Sequence, residues 1–174
     1  ESRFDSQVSD TAVPFFGKHQ GGITTPLQDR LHLAVFNVQT TDREELKRTL
    51  KEMTFAAERM SRASGAGAIG AVAGSPESPP DDTGEAFDLP AARLTMTIGF
   101  GASIFDDRFG FAANKPSNFE RLEKFAGDQV ESQFQDGDIV IQVCADDDQV
   151  AFHALRNLTR IAKGTLTPTW MQSG

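Results

Sequence analysis

The residues most suggestive of chemistry lie in one short stretch, residues 99–110, with the sequence GFGASIFDDRFG. It places two adjacent carboxylates, Asp106 and Asp107, between two strand-like segments, as in many active-site loops. Two carboxyl groups that share a proton can act as a general acid and base. Neighbouring side chains on an extended backbone, however, point to opposite sides. We therefore expect one aspartate to cap a turn and the other to pair with Arg108.

The glycines of this stretch, Gly99, Gly101 and Gly110, do not form the GxGxxG pattern that opens a helix in dinucleotide-binding domains. They are predicted to occupy backbone positions that need unusual dihedral angles or the close approach of another segment. A dinucleotide site is therefore not expected here.

Other polar groups also have structural interpretations. The aspartates at 146–148 lack the glycine and the distal glutamate of an EF-hand loop and are predicted to cap a helix. His32 and His153 are predicted to be partly buried with hydrogen-bond partners, whereas His19 lies in a turn-rich segment, where functional residues concentrate. No histidine has neighbours at metal-ligand spacing. The residues alone thus assign no catalytic, cofactor-binding or metal-binding position, although distant residues can assemble such a site.

Composition limits the function classes. A chain of 174 residues has room for one domain with a sizeable core, and its net charge of −8 leaves no basic face for nucleic acid. The single cysteine, Cys144, excludes an internal disulfide and a zinc site built on thiolates. No run of 18 apolar residues is present that would span a membrane. Trp170 is the one tryptophan and tyrosine is absent; we expect Trp170 to be buried in a strand rather than to relay electrons.

The apolar pattern predicts two strand–helix–strand units. Residues 31–38 are apolar at nearly every position and are predicted to form a strand buried on both faces. A helix capped by Thr41 or Asp42 follows, with an apolar stripe of Leu46, Leu50, Met53, Ala57 and Met60. Residues 93–100 alternate in polarity, as in a half-buried strand.

The second unit follows the same plan. Residues 138–145 form its first strand, and the helix after the aspartates turns four apolar residues inward before it ends at Gly164: Ala151, Leu155, Leu158 and Ile161. A last strand begins near Thr165. This order predicts an α+β fold of the ferredoxin-like type, an antiparallel sheet with both helices on one face.

The chain accordingly divides into an N-terminal arm, 1–30, and a ferredoxin-like domain, 31–174, which contains a long loop rich in glycine and proline at 64–90. The second face of the sheet needs a cover because the first strand is so apolar. Another domain or another copy of the chain would supply it.

Three segments together carry a resemblance: VPFFGKHQGGITTP, GFGASIFDDRFGF and GDIVIQVCADDDQVAFHALRNL. From Val13 to Trp170 the chain resembles the N-terminal half of the dye-decolourising (DyP-type) haem peroxidases, in the secreted branch that includes the deferrochelatase-like proteins. The resemblance implies two ferredoxin-like domains packed face to face, as in a dimeric α+β barrel. It also implies haem b, held mainly by the second domain.

In this family, hydrogen peroxide is reduced while dyes, phenols or similar aromatic compounds are oxidised. The family's distal aspartate lies in a GxxDG motif, which occurs nowhere in this sequence, and its proximal histidine and distal arginine lie further on. The catalytic centre is therefore expected on a C-terminal half, and no catalytic residue is transferred to this chain.

The same reasoning leads to further expectations. The C-terminal half is expected as a second chain after cleavage beyond Gly174, with an isolated domain lacking haem as the alternative. The start without methionine, together with the family, predicts a secreted or periplasmic protein exported by the twin-arginine route; a cytoplasmic location is the alternative. Three alternatives remain open for function and assembly: a non-catalytic ferredoxin-like binding module, a haem iron-release protein and a homo-oligomer.

Overall fold

A computed structural model describes residues 11–120 and 122–174 of the chain. The first ten residues of the predicted arm lie outside the described residues. The elements are, in chain order, β1 (Arg30–Val38), α1 (Arg43–Met60), β2 (Thr95–Phe100), β3 (Ile139–Ala145), α2 (Asp148–Ala162) and β4 (Leu166–Ser173). Three short 3₁₀ helices lie between β2 and β3: Ala102–Ile104, Ala112–Asn114 and Ser132–Phe134.

The strands form one antiparallel sheet in the order β2-β3-β1-β4. Ala34 of β1 and Ile98 of β2 both lie opposite Ile141 of β3, and an irregularity between Val35 and Phe36 shifts the register of β1 against β4. Both helices cover the same face of the sheet, which confirms the predicted ferredoxin-like fold.

Local signals in the sequence explain where the helices begin. Asp42 caps α1 by accepting a hydrogen bond from the backbone N–H of Glu44 at 2.8 Å. Asp147 caps α2 in the same way, accepting from the N–H of Val150 at 3.0 Å. Each carboxylate satisfies an N–H group that has no partner within its helix, so both predicted caps are confirmed.

The core lies between the helices and the sheet, as the apolar stripes predict. Its largest fully buried apolar side chains come from both helices, from three of the strands and from the residue just before β2: Phe36, Met53, Met60, Leu94, Met96, Ile139, Ile141, Val143 and Leu158. Burial of each stabilises the fold by about 1.5–3 kcal/mol relative to exposure. Leu50 and Ile161, also predicted to face inward, are partly buried against this core.

The first strand, β1, is buried on the helix face only. On its other face Leu31 and Asn37 are exposed, Leu33 is half-buried, and only Val35 is buried, beneath the segment around Gly137. Within the described residues this segment crosses the second face at one point and leaves the ends of the strand uncovered. Burial on both faces therefore stays a prediction that depends on a cover from another domain or another copy of the chain.

The described part of the arm lies along β2, at one edge of the sheet. The side-chain amide of Gln20 donates to the carbonyl of Met96 at 3.1 Å, and that of Gln28 donates to the carbonyl of Arg93 at 2.9 Å. These bonds occupy polar groups that an edge strand would otherwise leave unpaired. Neither of the two helices in the described part of the chain is long and apolar enough to cross a bilayer.

Candidate functional site

The carboxylates of the 99–110 stretch do not form an acid–base pair. Asp106 accepts hydrogen bonds from both the backbone N–H and the Nε–H of Arg108, at 2.9 and 2.6 Å. One aspartate thus does the capping and the pairing that were predicted for two. Asp107 is exposed, and its backbone carbonyl accepts a hydrogen bond from Gly110. The two groups share no proton.

A residue outside the stretch completes the cluster. The Arg108 guanidinium forms two hydrogen bonds with Asp138, at 2.9 and 3.2 Å. The Asp138 carboxylate also accepts from the hydroxyl of Ser103 at 2.7 Å and from the backbone N–H of Val38 at 2.9 Å. Because Asp138 immediately precedes β3, this cluster fastens the long β2–β3 connection to the sheet.

Electrostatics keeps this cluster ionised. Burial alone would raise the pKa of Asp138, but the hydrogen bonds from Arg108, Val38 and Ser103 outweigh burial and lower the pKa below its ordinary value. The bond to Asp138 in turn raises the pKa of Arg108. Both oxygens of Asp138 are occupied by donors, so the carboxylate holds the backbone in place rather than accepting a proton from a substrate.

The glycines behave as the sequence predicted. A side chain at Gly101 would overlap the carbonyl oxygen of Gly137, because the two segments approach closely where the N–H of Gly101 donates to the carbonyl of Asp138 at 2.8 Å. Gly110 has a φ of +71°, in the left-handed region that favours glycine. At Gly99 an added Cβ would lie only 2.8 Å from the side chain of Val140.

His153 is the centre of a buried polar cluster. Its Nε2 lies 3.3 Å from Asp82 and its Nδ1 lies 3.1 Å from Glu85, both in the long loop between α1 and β2. Asn157, fully buried one turn further along α2, also contacts the ring. Burial raises the pKa of Glu85, but hydrogen bonds from Thr83 and His153 outweigh burial and lower it. The cluster ties the loop to α2, and the predicted hydrogen-bond partners of His153 are confirmed.

Neither His32 nor His153 fits the role of a haem ligand. His32 is buried, with its Nε2 3.0 Å from Asp148 and its Nδ1 2.9 Å from the hydroxyl of Ser173. His153 likewise has both ring nitrogens engaged, and His19 is exposed in the arm. Throughout residues 11–120 and 122–174 no group of three histidine, cysteine or acidic side chains is placed to hold a metal ion.

The aspartates at 146–148 have separate structural roles. Asp146 pairs with Arg93 at 3.3 Å, Asp147 caps α2, and Asp148 pairs with His32. The capping interpretation is confirmed.

The candidate functional surface is the sheet face opposite the helices, which we call the open face. Trp170 pairs with Val35 there, and its half-buried ring lies 6.1 Å from the ring of Phe134. The indole nitrogen is inaccessible to solvent and has no hydrogen-bond partner among the described residues. Cys144 is half-buried on this face, and burial raises the pKa of its thiol. The open face combines apolar and uncharged polar groups, as a packing surface does.

Comparisons with known proteins agree on one family. Residues 20–174 match the family described as Dyp-type peroxidase, N-terminal. A curated relative, the deferrochelatase of Yersinia pestis bv. Antiqua (strain Nepal516), is 32% identical over 162 residues, which are 92% of this chain and 36% of the relative. The chain therefore spans little more than a third of that relative's length.

Solved structures show the same relationship. Ferric DtpA from Streptomyces lividans superimposes with a TM-score of 0.83 and 34% identity, covering 100% of this chain and 44% of that one. A DyP-type peroxidase from Streptomyces coelicolor gives a TM-score of 0.82 and 35% identity, covering 94% and 41%. Since the family match covers residues 20–174 and these solved structures superimpose over nearly all of the chain, this chain belongs to the DyP-type peroxidase family and constitutes its N-terminal domain.

Proposed function

We propose that the natural polypeptide containing this chain is a haem-dependent peroxidase that reduces hydrogen peroxide while it oxidises dyes, phenols or similar small aromatic reductants. Peroxide takes up two electrons and two protons to give two water molecules, and each of two reductant molecules loses one electron. Membership of a family of haem enzymes supports this activity.

The observation that carries the proposal is the open face. Leu31, Leu33 and Trp170 lie there with part of their surface exposed, in a sheet that carries both helices on its other face. An uncovered apolar sheet face is typical of a domain that packs against another one. Because the chain spans only 36–44% of its relatives, we assign the cover to a C-terminal part of the same protein.

We further propose that this C-terminal part holds most of the haem, which we take to be haem b. Two observations support the assignment: His32 and His153 have both ring nitrogens engaged, and the GxxDG motif is absent from this chain. The haem supplies the redox chemistry when bound. The polar clusters described above stabilise the N-terminal domain, against which the haem-holding part packs. Arg108 and Asp138 fix the β2–β3 connection, and His153 fixes the α1–β2 loop.

Iron release from haem is the second candidate function, because curated relatives at about one third identity are deferrochelatases. Iron release uses the same fold and the same haem as the peroxidase reaction. The two functions therefore differ in their products and not in the structure of this domain. Export from the cytoplasm by the twin-arginine route is proposed along with either function.

The test is an absorption spectrum and two assays on the natural polypeptide, expressed with a haem supply. We expect a haem Soret band and peroxide-dependent bleaching of an anthraquinone dye. Appearance of iron-free porphyrin without dye bleaching would favour iron release instead. A colourless, inactive protein would contradict both the peroxidase and the iron-release function. The non-catalytic ferredoxin-like binding module would then be the remaining interpretation. Cell fractionation, with the precursor compared before and after export, tests the location.

A further inference from the structure

An apolar groove lies on the opposite side of the molecule from the open face, between α1 and the segment that follows β2. Its volume is about 530 Å³, within the range of cavities that take a small organic molecule. Leu46 and Ile104 form its buried floor, Leu50 and Phe105 are half-buried beside them, and Phe100 lines it with 45% of its surface exposed.

One wall of the groove carries a row of cations. Arg43, Lys47 and Lys51 follow one another at four-residue spacing on α1, so they lie on one side of the helix over about 12 Å. Lys47 pairs with Glu44 at 3.1 Å, and the Arg43 guanidinium lies 5.0 Å from the ring centre of Phe111. Among the described residues Lys51 has no ion-pair partner, and none of the side chains that line the groove is acidic.

This charge pattern is unusual for the chain as a whole, whose net charge is −8. Three cations beside an apolar floor complement a ligand with an anionic head and an apolar body. The head pairs with the cations, and the body is removed from water.

The shape of the groove selects among such ligands. The lining residues of α1 run from Arg43 to Thr54, about 16 Å along the helix axis. Two of its three aromatic rings already have ring partners: Phe105 packs edge-on against Phe119, and Phe111 contacts Phe109. An elongated groove with Leu46, Leu50 and Ile104 along it suits an alkyl chain better than a stacked aromatic system.

We propose that this groove binds a free fatty-acid anion, with its carboxylate beside Lys47 and Lys51 and its alkyl chain along Leu46, Leu50 and Phe100. This binding site is separate from the open face and from the peroxidase reaction proposed above.

Isothermal titration of the natural polypeptide with dodecanoate, kept below its micelle concentration, tests the proposal. We expect saturable binding of one molecule per chain. Dodecyltrimethylammonium, with the same alkyl chain and the opposite charge, is expected to bind at least about tenfold more weakly. Lys51→Glu is expected to weaken dodecanoate binding about fivefold. The matched control is Arg48→Glu, an exposed position on the same helix outside the groove, which is expected to leave affinity unchanged.

A second variant tests the apolar half of the site. Phe100→Ser removes a half-exposed ring from the groove and is expected to weaken dodecanoate and the cationic amphiphile alike. The proposal is overturned if dodecanoate gives no saturable binding, if both head groups bind equally, or if Lys51→Glu and Arg48→Glu behave the same. Lys51-dependent binding to phosphatidylglycerol vesicles without binding of monomeric dodecanoate would overturn it in favour of a membrane surface.

Discussion

Arg108 and Asp138, thirty residues apart in the chain, form two hydrogen bonds that join the segment after β2 to the start of β3. The side chain of Asp138 is only 6% exposed, so the pair lies at the edge of the core. The 99–110 stretch therefore resembles an active-site loop in composition, but its role is to hold the long β2–β3 connection against the sheet.

Asp138→Asn is expected to destabilise the chain. The variant removes the negative charge that Arg108 faces and leaves a buried hydrogen-bond network mismatched, at a cost of about 2–3 kcal/mol. Urea unfolding measures the free energy. Asp107→Asn, an exposed neighbour of the same cluster, serves as the control and is expected to change stability little. Equal stability of the two variants would contradict the role assigned to Asp138.

The contribution of Asp138 is expected to depend on pH. Its pKa in the folded protein lies below its ordinary value of about 3.9, so the carboxylate stabilises the fold fully above that pH and loses this effect as the pH falls through the folded pKa. The gap in urea midpoint between the parent protein and Asp138→Asn should therefore be constant from about pH 7 to pH 5 and narrow below about pH 4. A gap that persists unchanged into strong acid would argue against this electrostatic origin.

Gly101→Ala is expected to be more damaging than Gly110→Ala. A methyl group at Gly101 overlaps the carbonyl oxygen of Gly137 and forces the two segments apart, at a cost of about 3 kcal/mol. At Gly110 no atom of residues 11–120 or 122–174 lies within 4 Å of an added Cβ, so the positive φ is what opposes the change, at about 1–2 kcal/mol. Thermal melting measures the stability of both variants. A lower melting temperature for Gly110→Ala than for Gly101→Ala would contradict the close approach of Gly101 to Gly137.

His153→Leu is expected to release the α1–β2 loop. Without the imidazole, Asp82 loses its ion-pair partner on α2 and remains buried, while the Glu85 carboxylate keeps only its ion pair with Arg156 there. Limited proteolysis with thermolysin measures the release, because Ile69 and Val72 of this loop are exposed apolar residues. We expect cleavage there to accelerate in His153→Leu and to be unchanged in the control His19→Leu, which replaces an exposed histidine of the arm.

Much of this fold is predictable from local sequence patterns. The caps at Asp42 and Asp147 and the periodicity of both helices depend on residues within four positions of one another, so the sequence alone reveals them. The Arg108–Asp138 pair and the cluster around His153 join residues thirty to seventy positions apart, and no local pattern specifies such pairings. The groove beside Lys51 is not predictable from the sequence for the same reason, since its two walls come from α1 and the segment after β2.

We expect the open face to pack against the rest of a haem protein. A comparison of Leu33→Lys, on that face, with Leu27→Lys, in the arm where the side chain is 94% exposed, tests this packing. Haem content is measured from the Soret absorbance of the purified natural polypeptide. We predict that Leu33→Lys loses haem because a buried lysine disrupts the interface, while Leu27→Lys retains it. Full haem content in both variants would contradict the packing of the open face against the haem-holding part.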